Sequence, residues 1–236
     1  MTSIERYPER DSVTQDNQLI EASYTLTLNE KRLLLLGASK INPMEMPHKD
    51  EPLSFEVTVE EWASRFPDDN PWRALKNAAK NMRGRFVTLH PKAGVVDELN
   101  WFDSVRYIEA EGKVRIRFGW SVSLRLAGMI SEFTKIKLTA VQQLRSFHSI
   151  RLYEVLSQFR STTYRRMSVE DFRIAMDCIS THTEMKALKR YVLKPAIKEL
   201  NEKSDIQIIC TDVKKGRRIV GFEFLIKTNS QQDMFR

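Results

Sequence analysis

Apolar residues recur along this chain at the spacings typical of helices and strands, and the first half shows one complete series of such elements. Thr27 and Glu30 form the pattern of a capping box, and Thr58 and Glu61 form a second one. Helices are predicted over residues 31–40, from 58 onward, over 71–84 and over 121–133. Strands are predicted over residues 85–90, 99–108 and 113–118, with a turn at Glu111-Gly112.

The second half repeats this order of elements. Apolar residues have helical spacing over residues 149–159, Ser168 and Asp171 again open a helix, and a long basic helix is predicted over residues 184–201. Pro195 falls inside that helix, where its missing N–H predicts a kink or loosened last turns. Apolar residues then alternate in two strands, residues 206–213 and 217–226, around a turn at Lys215-Gly216.

Short sequence matches indicate that the second half is a copy of the first. Residues 58–62 resemble residues 168–172 at an offset of 110, and residues 72–76 resemble residues 185–189 at an offset of 113. In each half the order is helix, helix, basic helix and β-hairpin, which is the order of a winged helix-turn-helix. The sequence therefore predicts an α+β fold of two tandem winged-helix domains related by internal duplication.

These elements divide the chain into five predicted parts. They are a flexible leader over residues 1–18, an N-terminal winged-helix domain over 19–133, a linker over 134–145, a C-terminal winged-helix domain over 146–228, and a tail over 229–236. Each predicted domain is close to the usual size of about 100 residues.

The two basic helices are the strongest functional signal in the chain. In residues 71–84 the apolar positions share one face, and the other face is predicted to carry Arg73, Lys76, Asn77, Lys80 and Arg83. Residues 72–85 hold five bases and no acid, although a solvated helix usually interleaves both signs. Such a face favours an anionic partner, and Asn77 has the side chain that binds adenine in a major groove.

The second basic helix has the same character. Its polar side is predicted to carry Lys186, Lys189, Arg190, Lys194 and Lys198. In a helix-turn-helix the second helix enters the major groove and its first turns meet base edges. We therefore predict that both helices contact double-stranded DNA. The residues in those first turns are Arg73, Lys76 and Asn77, and then Lys186, Lys189 and Arg190.

Both predicted hairpins add positive charge beside these helices. Cations at hairpin tips commonly neutralise phosphate or enter a minor groove. The residues predicted to do so are Lys214, Lys215, Arg217 and Arg218 around the second tip, and Lys113 and Arg115 along the first hairpin.

Composition narrows the class of protein further. Lys and Arg number 38 against 31 Asp and Glu, and the net charge of +7 favours a polyanionic partner without identifying it. Cys178 and Cys210 form no CxxC pair, so reduced cytoplasmic thiols are expected, without a zinc ribbon or a disulfide framework. The longest apolar run, residues 33–36, is too short to span a membrane, and residues 1–16 lack the apolar region of a signal peptide.

The sequence shows no pattern of catalytic residues. His48, His90, His148 and His182 stand far apart and form no HxH or HExxH pattern, and a phosphate-binding GxxxxGK[ST] loop is absent. Tyr164 is predicted to end a helix or pack locally, and not to act as a nucleophile. We therefore predict a protein that is not an enzyme and that has no catalytic residue, metal or cofactor.

Four segments carry a more specific pattern than the order of elements. They are residues 22–32 (ASYTLTLNEKR), 149–159 (SIRLYEVLSQF), 192–205 (VLKPAIKELNEKSD) and 214–217 (KKGR). In these segments the chain resembles the initiator replication proteins of iteron-bearing plasmids, and the resemblance covers roughly residues 19–226. It is specific in the second copy and loose between residues 40 and 118. Pro195 is a regular feature of the family's pattern.

The resemblance implies a function that spacing alone does not. Proteins of this family bind repeated sites, called iterons, at a plasmid origin as monomers, with both recognition helices on one site. Many also repress their own gene as dimers that pair through the first domain, and they recruit the host replication initiator and the replicative helicase. We therefore expect double-stranded plasmid origin DNA, a second copy of the chain and these host proteins as partners in the bacterial cytoplasm, and no membrane partner.

Other classes of binding protein would show some of the same features. A winged-helix transcription regulator that binds only a promoter operator shares the fold and the basic helices, and only the family resemblance separates it from an initiator. A protein-binding scaffold is disfavoured by the one-sided basic helices. Leu19, Leu26 and Leu33 recur every seven residues, but they cross a capping box, so they are predicted to be core residues and not a leucine zipper.

Overall fold

The computed structural model describes residues 11–51, 53–92, 94–127 and 132–229, without the side chains of residues 90–92. The first copy of the fold consists of β1 (Ser12–Asp16), α1 (Asn17–Glu21), α2 (Leu28–Ser39), β2 (Ser54–Thr58), α3 (Val59–Arg65), α4 (Pro71–Met82), β3 (Phe86–Lys92), β4 (Val95–Asn100), β5 (Phe102–Ile108), β6 (Lys113–Phe118) and α5 (Trp120–Leu126).

The second copy consists of β7 (Phe133–Lys137), α6 (Leu138–Gln143), α7 (Phe147–Ser157), β8 (Tyr164–Ser168), α8 (Val169–Ala175), α9 (Met185–Leu188), a π-helical turn (Lys189–Leu193), α10 (Lys194–Lys203), β9 (Ile206–Lys215) and β10 (Arg218–Thr228). The predicted tandem of winged helices is confirmed, since each copy contains two helices (α2 and α3, or α7 and α8), a basic recognition helix (α4, or α9 to α10) and a three-stranded sheet.

The capping signals fold as predicted. The Thr27 hydroxyl accepts a hydrogen bond from the Glu30 N–H, and the Glu30 carboxylate accepts one from the Thr27 N–H in return, so the capping box opens α2. Thr58 likewise accepts from the N–H of Glu61 at 3.2 Å, and Ser168 accepts from that of Asp171 at 3.0 Å. The repeated pattern in the sequence therefore starts the same helix in each copy.

The two three-stranded sheets have equivalent topology. Their strand orders are β2-β6-β5 and β8-β10-β9, and all pairs are antiparallel. In each sheet the strand before the first helix of the helix-turn-helix lies at one edge and the hairpin supplies the other two. The sequence missed both edge strands, β2 and β8. Tyr164, predicted to end a helix or pack locally, is instead the half-exposed first residue of β8.

The predicted strand over residues 99–108 is two strands in different sheets. The backbone turns at the buried Trp101, so β4 pairs with β3 and β5 pairs with β6. The Trp101 carbonyl accepts a hydrogen bond from Gly119 N at 3.0 Å. A Cβ atom at Gly119 would lie 2.2 Å from the carbonyl oxygen of Asn100, so this close backbone approach requires glycine. The β3–β4 hairpin has no equivalent in the second copy as described.

The predicted leader and linker are corrected by one pair of strands. Residues 12–16, expected in a flexible leader, form β1, which pairs antiparallel with β7 from Ser12 opposite Lys137 to Asp16 opposite Phe133. Residues 134–145, predicted as a linker, contain most of β7 and all of α6. The predicted helix over residues 121–133 ends at Leu126, its residues 128–131 lie outside the described residues, and Phe133 already begins β7. The first strand of each copy thus pairs with that of the other.

The buried apolar residues of both copies form one continuous core. Leu19, Leu26 and Leu33 are all buried in it, at 1%, 4% and 0% exposure, so their assignment to the core is confirmed. Helices α2 and α7 lie at its centre, since every residue from 30 to 39 and from 149 to 157 is buried. These two helices are equivalent in the two copies and carry the recognition helices packed against them.

Pro195 causes a local change of helical pitch. Residue 195 has no N–H, and its ring would collide with the carbonyl four residues earlier in a regular helix. The chain relieves this by a π-helical turn just before the proline, in which Lys194 N donates to the carbonyl of Lys189 five residues back. The predicted loosening therefore occurs N-terminal to Pro195, and the helix continues after it to Lys203.

Candidate nucleic-acid interface

The first recognition helix is α4, and its burial follows the predicted apolar face. The Asn70 side chain caps it by accepting from Arg73 N at 3.0 Å, and Pro71 occupies the first turn, where no N–H is needed. Leu75, Ala79 and Met82 are fully buried against the helices and sheet of the first copy. Because this face of α4 is buried, its opposite face points toward solvent.

Four of the five predicted contact residues on α4 lie on that exposed face. They are Arg73, Asn77, Lys80 and Arg83, at spacings of four, three and three residues. Within the described residues none of the three cations has an ion-pair partner. The helix therefore presents three cations without acidic partners and one amide side chain among them. Side chains of these kinds contact DNA from a recognition helix.

Lys76, the fifth residue, is engaged within the protein. Its ammonium pairs with the carboxylate of Glu109 at the tip between β5 and β6, and it lies 5.9 Å and 5.7 Å from the ring centres of Trp72 and Tyr107. This pairing lowers the pKa of Glu109 and holds the acidic tip beside the helix. Lys76 is thus placed near the candidate interface but with its charge compensated.

The second recognition helix runs through α9, the π-helical turn and α10. Lys186, Arg190 and Lys194 are exposed on it, at spacings of four residues. Lys198 is also exposed and lies 3.9 Å from Glu202, one turn later. The exposed side of this helix is cationic over three successive turns, as the sequence predicts.

Lys189 differs from its neighbours. Its ammonium lies 2.8 Å and 2.6 Å from the two carboxylate oxygens of Asp212 on β9, and about a quarter of each side chain is exposed. The ion pair ties the helix to the hairpin. Sequence reasoning placed Lys189 with the DNA-contacting cations because its partner lies 23 residues away, so the pair left no local signal.

Sequence reasoning missed two residues, one before this helix and one on it. Arg173 on α8 donates to the carbonyls of Cys178, His182 and Thr183 at 3.0, 2.9 and 2.7 Å, which orders the turn that leads into α9. Tyr191 is 56% exposed on the recognition helix, and the centre of its ring lies 5.3 Å from the Arg190 guanidinium and 5.7 Å from the centre of the His182 ring. An exposed tyrosine at this place offers a flat apolar surface to a base.

The two wings, which are the β5–β6 hairpin of the first copy and the β9–β10 hairpin of the second, differ in charge. The tip of the second wing turns at Gly216, with a φ of +61° that glycine adopts readily. Around it all four predicted cations are exposed and without an ion-pair partner in the described part of the chain, namely Lys214, Lys215, Arg217 and Arg218. This tip is therefore a free cationic loop.

The first wing is instead acidic at its tip, where Glu109 and Glu111 flank Ala110. Lys113 pairs with Glu111 at 2.6 Å and with Glu56 at 3.3 Å, and Arg115 also pairs with Glu56. The structure thus engages Lys113 and Arg115 in ion pairs on the β2–β6 strands and leaves them no free charge. The sequence-based prediction that Lys113 and Arg115 contact DNA did not take their ion pairs with Glu56 and Glu111 into account.

The described residues contain no group of three or more His, Cys, Asp or Glu side chains arranged to hold a metal ion. Among the helices described, none combines the length and apolar character needed to cross a membrane.

Two winged helices in tandem, each presenting an exposed cationic recognition helix, define a DNA-binding protein of the double winged-helix class. Family comparison is more specific. The chain matches "Initiator Replication protein, WH1" over residues 12–157 and "Initiator Rep protein, WH2" over residues 168–226. It therefore belongs to the initiator replication protein family, as its sequence resemblance indicated.

Individual relatives agree with this assignment. The chain is 24% identical over 230 residues to a "Replication initiation protein" of Escherichia coli, covering 94% of this chain and 71% of that one. It is 28% identical over 210 residues to an "Uncharacterized 27.6 kDa protein" of Escherichia coli, covering 82% and 86%.

Two solved structures share the fold. The crystal structure of Pi initiator protein in complex with iteron DNA superposes with a TM-score of 0.78 at 20% identity, covering 95% of this chain and all of that one. Domains 2 and 3 of RctB superpose with a TM-score of 0.50 at 9% identity, covering 97% and 94%. Both copies of the winged helix are thus part of the shared architecture.

Proposed function

We propose that this replication initiator binds repeated sites in the origin of a plasmid, as a monomer with one recognition helix in each of two successive major grooves. The observation that carries the proposal is the pair of exposed cationic helix faces, each in the second helix of a helix-turn-helix. Pi initiator protein, which shares the fold, has been crystallised with iteron DNA. Family membership favours this function over that of an operator-binding regulator.

The proposed contacts divide by chemistry. Arg73, Asn77 and Arg190 have side chains that form bidentate hydrogen bonds with bases, and we assign base reading to them. Phosphate contacts are assigned to the remaining exposed cations, which are Lys80, Arg83, Lys186, Lys194, Lys214, Lys215, Arg217 and Arg218. Lys76, Lys189, Lys113 and Arg115 are not assigned, because acidic partners already compensate their charges.

The proposal extends to partners of the family. A dimer of this chain would repress its own gene, and the monomer on the origin would recruit the host replication initiator and the replicative helicase. The domain division proposed for these roles is a first winged helix for dimerisation and DNA binding and a second for the main DNA contacts.

A binding experiment tests DNA recognition. Purified protein is titrated into a labelled duplex carrying one repeat of its own plasmid's origin and into a scrambled duplex, over a series of salt concentrations. Strong preference for the repeat, with affinity that falls steeply with salt, is the expected result. Equal affinity for both duplexes would overturn sequence-specific binding.

A replication assay separates an initiator from an operator-binding regulator. The chain is supplied in trans to a plasmid that carries only the origin repeats and a selectable marker. We expect transformants with the wild-type chain and none with Arg190→Ala, if both proteins accumulate equally. Repeat binding without transformants would favour the regulator.

A further inference from the structure

The two copies of the fold meet in a nearly symmetric way. β1 of the first copy pairs with β7 of the second, and these strands hold equivalent places at the start of the copies. Helices α2 and α7 follow as the buried centre of each copy. The contact therefore resembles the isologous interface of a two-fold dimer, formed within one chain.

A reciprocal pair of arginines follows the same symmetry. Arg32 stands five positions after Thr27, the cap of α2, and Arg151 stands five positions after Ser146, the cap of α7. Arg32 Nη2 donates at 3.1 Å to the carbonyl of Leu144, the residue that ends α6. Arg151 Nη2 donates at 3.0 Å to the carbonyl of Ala22, the residue that ends α1. Each copy thus holds the end of the other copy's first helix.

Arg151 is also the centre of a buried polar network between the copies. Glu154 lies 3.1 Å from Arg151 Nη1 and 2.7 Å from Lys31 Nζ, and Lys31 donates to the Tyr24 hydroxyl at 2.7 Å. Arg151 and Glu154 belong to α7, whereas Tyr24 and Lys31 belong to the first copy. All four residues are at most 5% exposed. Burial and the nearby Arg151 lower the pKa of Lys31 to about 8, against the opposing effect of Glu154.

The chemistry of this network restricts how the copies can move. An apolar contact tolerates sliding, because dispersion and burial have little directionality. Separating a buried charge from its partner is strongly unfavourable, so the network restricts how α2 can lie against α7. Since α4 packs on α2 and α10 packs on α7, that arrangement sets the distance and angle between the recognition helices.

We propose that Arg32 and Arg151 are positioning residues that fix the two recognition helices relative to each other and so determine the half-site spacing that the protein accepts. The inference rests on the proposed function, because it concerns the two halves of one repeat. It assigns no contact with DNA to either arginine.

The test varies the spacing within the repeat. One base pair is inserted between the two half-sites of the origin repeat, which shifts one half by about 3.4 Å and turns it by about 35°. Binding to the original and the inserted duplex is compared for the wild type, Arg151→Gln and Arg32→Gln. The less enclosed Arg32 provides the informative variant if Arg151→Gln fails to fold, which circular dichroism shows.

The wild type is expected to lose about ten- to a hundredfold in affinity on the insertion, equivalent to the base contacts of one helix. The variants are expected to bind the original repeat more weakly and to lose much less on the insertion. A variant that loses as much affinity on the insertion as the wild type does would overturn the proposal. A variant whose affinity for a single half-site falls as much as its affinity for the whole repeat would also overturn it. If the wild type ignored the repeat altogether, the proposed function would fail instead.

Arg160→Gln is the matched control. Arg160 donates to both carboxylate oxygens of Asp205 and to the Tyr153 hydroxyl, at 2.7 to 3.0 Å, and this partly buried network lies wholly within the second copy. It is expected to lower stability but to keep the wild-type dependence on spacing. Relaxed spacing in this control would show that general destabilisation, and not the contact between copies, causes the effect, and would overturn the proposal.

Discussion

The ion pair between Lys189 and Asp212 predicts that one substitution increases DNA binding. Asp212→Asn keeps the shape and the hydrogen-bonding oxygen of the side chain but removes the charge that compensates the ammonium. Lys189 lies between the exposed Lys186 and Arg190 on the recognition helix, so its freed charge is added to a surface that is already cationic. We expect Asp212→Asn to strengthen binding to any duplex at low salt.

The size of the effect follows from counterion release. One added phosphate contact steepens the slope of log affinity against log salt by about 0.9. Raising the salt from 50 to 200 mM should therefore lower the affinity of Asp212→Asn by a factor about 3.5 times larger than for the wild type. About a quarter of each side chain in this ion pair is exposed, so its loss should lower the stability of the fold by about 1 kcal/mol.

Fluorescence anisotropy with a labelled scrambled duplex measures both slopes. Glu202→Gln is the control, because it changes the net charge by the same unit one turn after Lys198, toward the end of the helix. We expect Asp212→Asn to be steeper than the wild type and Glu202→Gln to match it. An unchanged slope for Asp212→Asn would refute the reasoning, and equal steepening in both variants would show that only net charge matters.

Four further outcomes are expected. Arg190→Ala should lose about 1–3 kcal/mol of binding to the origin repeat and little to a scrambled duplex, as measured by competition. Lys215→Ala should weaken both duplexes alike and flatten the salt slope by about one unit. Gly37→Ala should lower the melting temperature, corresponding to about 1–3 kcal/mol, because its Cβ would lie 2.3 Å from the buried ring of Phe55. Burial raises the pKa of Asp205, but Arg160 and Lys137 hold that pKa well below its ordinary value. The contribution of Asp205 to stability is therefore present above about pH 3.9 and is lost as the pH falls below that value. Asp205→Asn should reduce this acid sensitivity, as measured by melting at a series of pH values.

The parts of the fold that the sequence predicted are those with local causes. The Thr27–Glu30 capping box and the caps at Thr58 and Ser168 involve residues three positions apart, and all three form as expected. The apolar face of α4 is likewise a matter of spacing within one helix. Strands β1, β2, β7 and β8 were missed because each has only five residues and is defined by a partner elsewhere in the chain.

The same distinction explains the candidate interface. The exposure of Arg73 and Arg190 follows from helical periodicity, which the sequence displays directly. The compensation of Lys76 by Glu109 and of Lys189 by Asp212 depends on folding a hairpin back beside each helix, over 33 and 23 residues. A count of basic residues therefore overestimates the free charge of the surface.

The pairing of β1 with β7 has a consequence for the order in which the protein is synthesised. Within the described residues β7 is the only strand paired with β1, and Phe133 follows Asp16 by 117 positions. At roughly 5–20 residues per second, the ribosome takes about 6 to 23 s to supply that partner. β1 therefore lacks its partner until residues 133–137 have been synthesised, and an unpaired strand edge is a site at which another chain can pair.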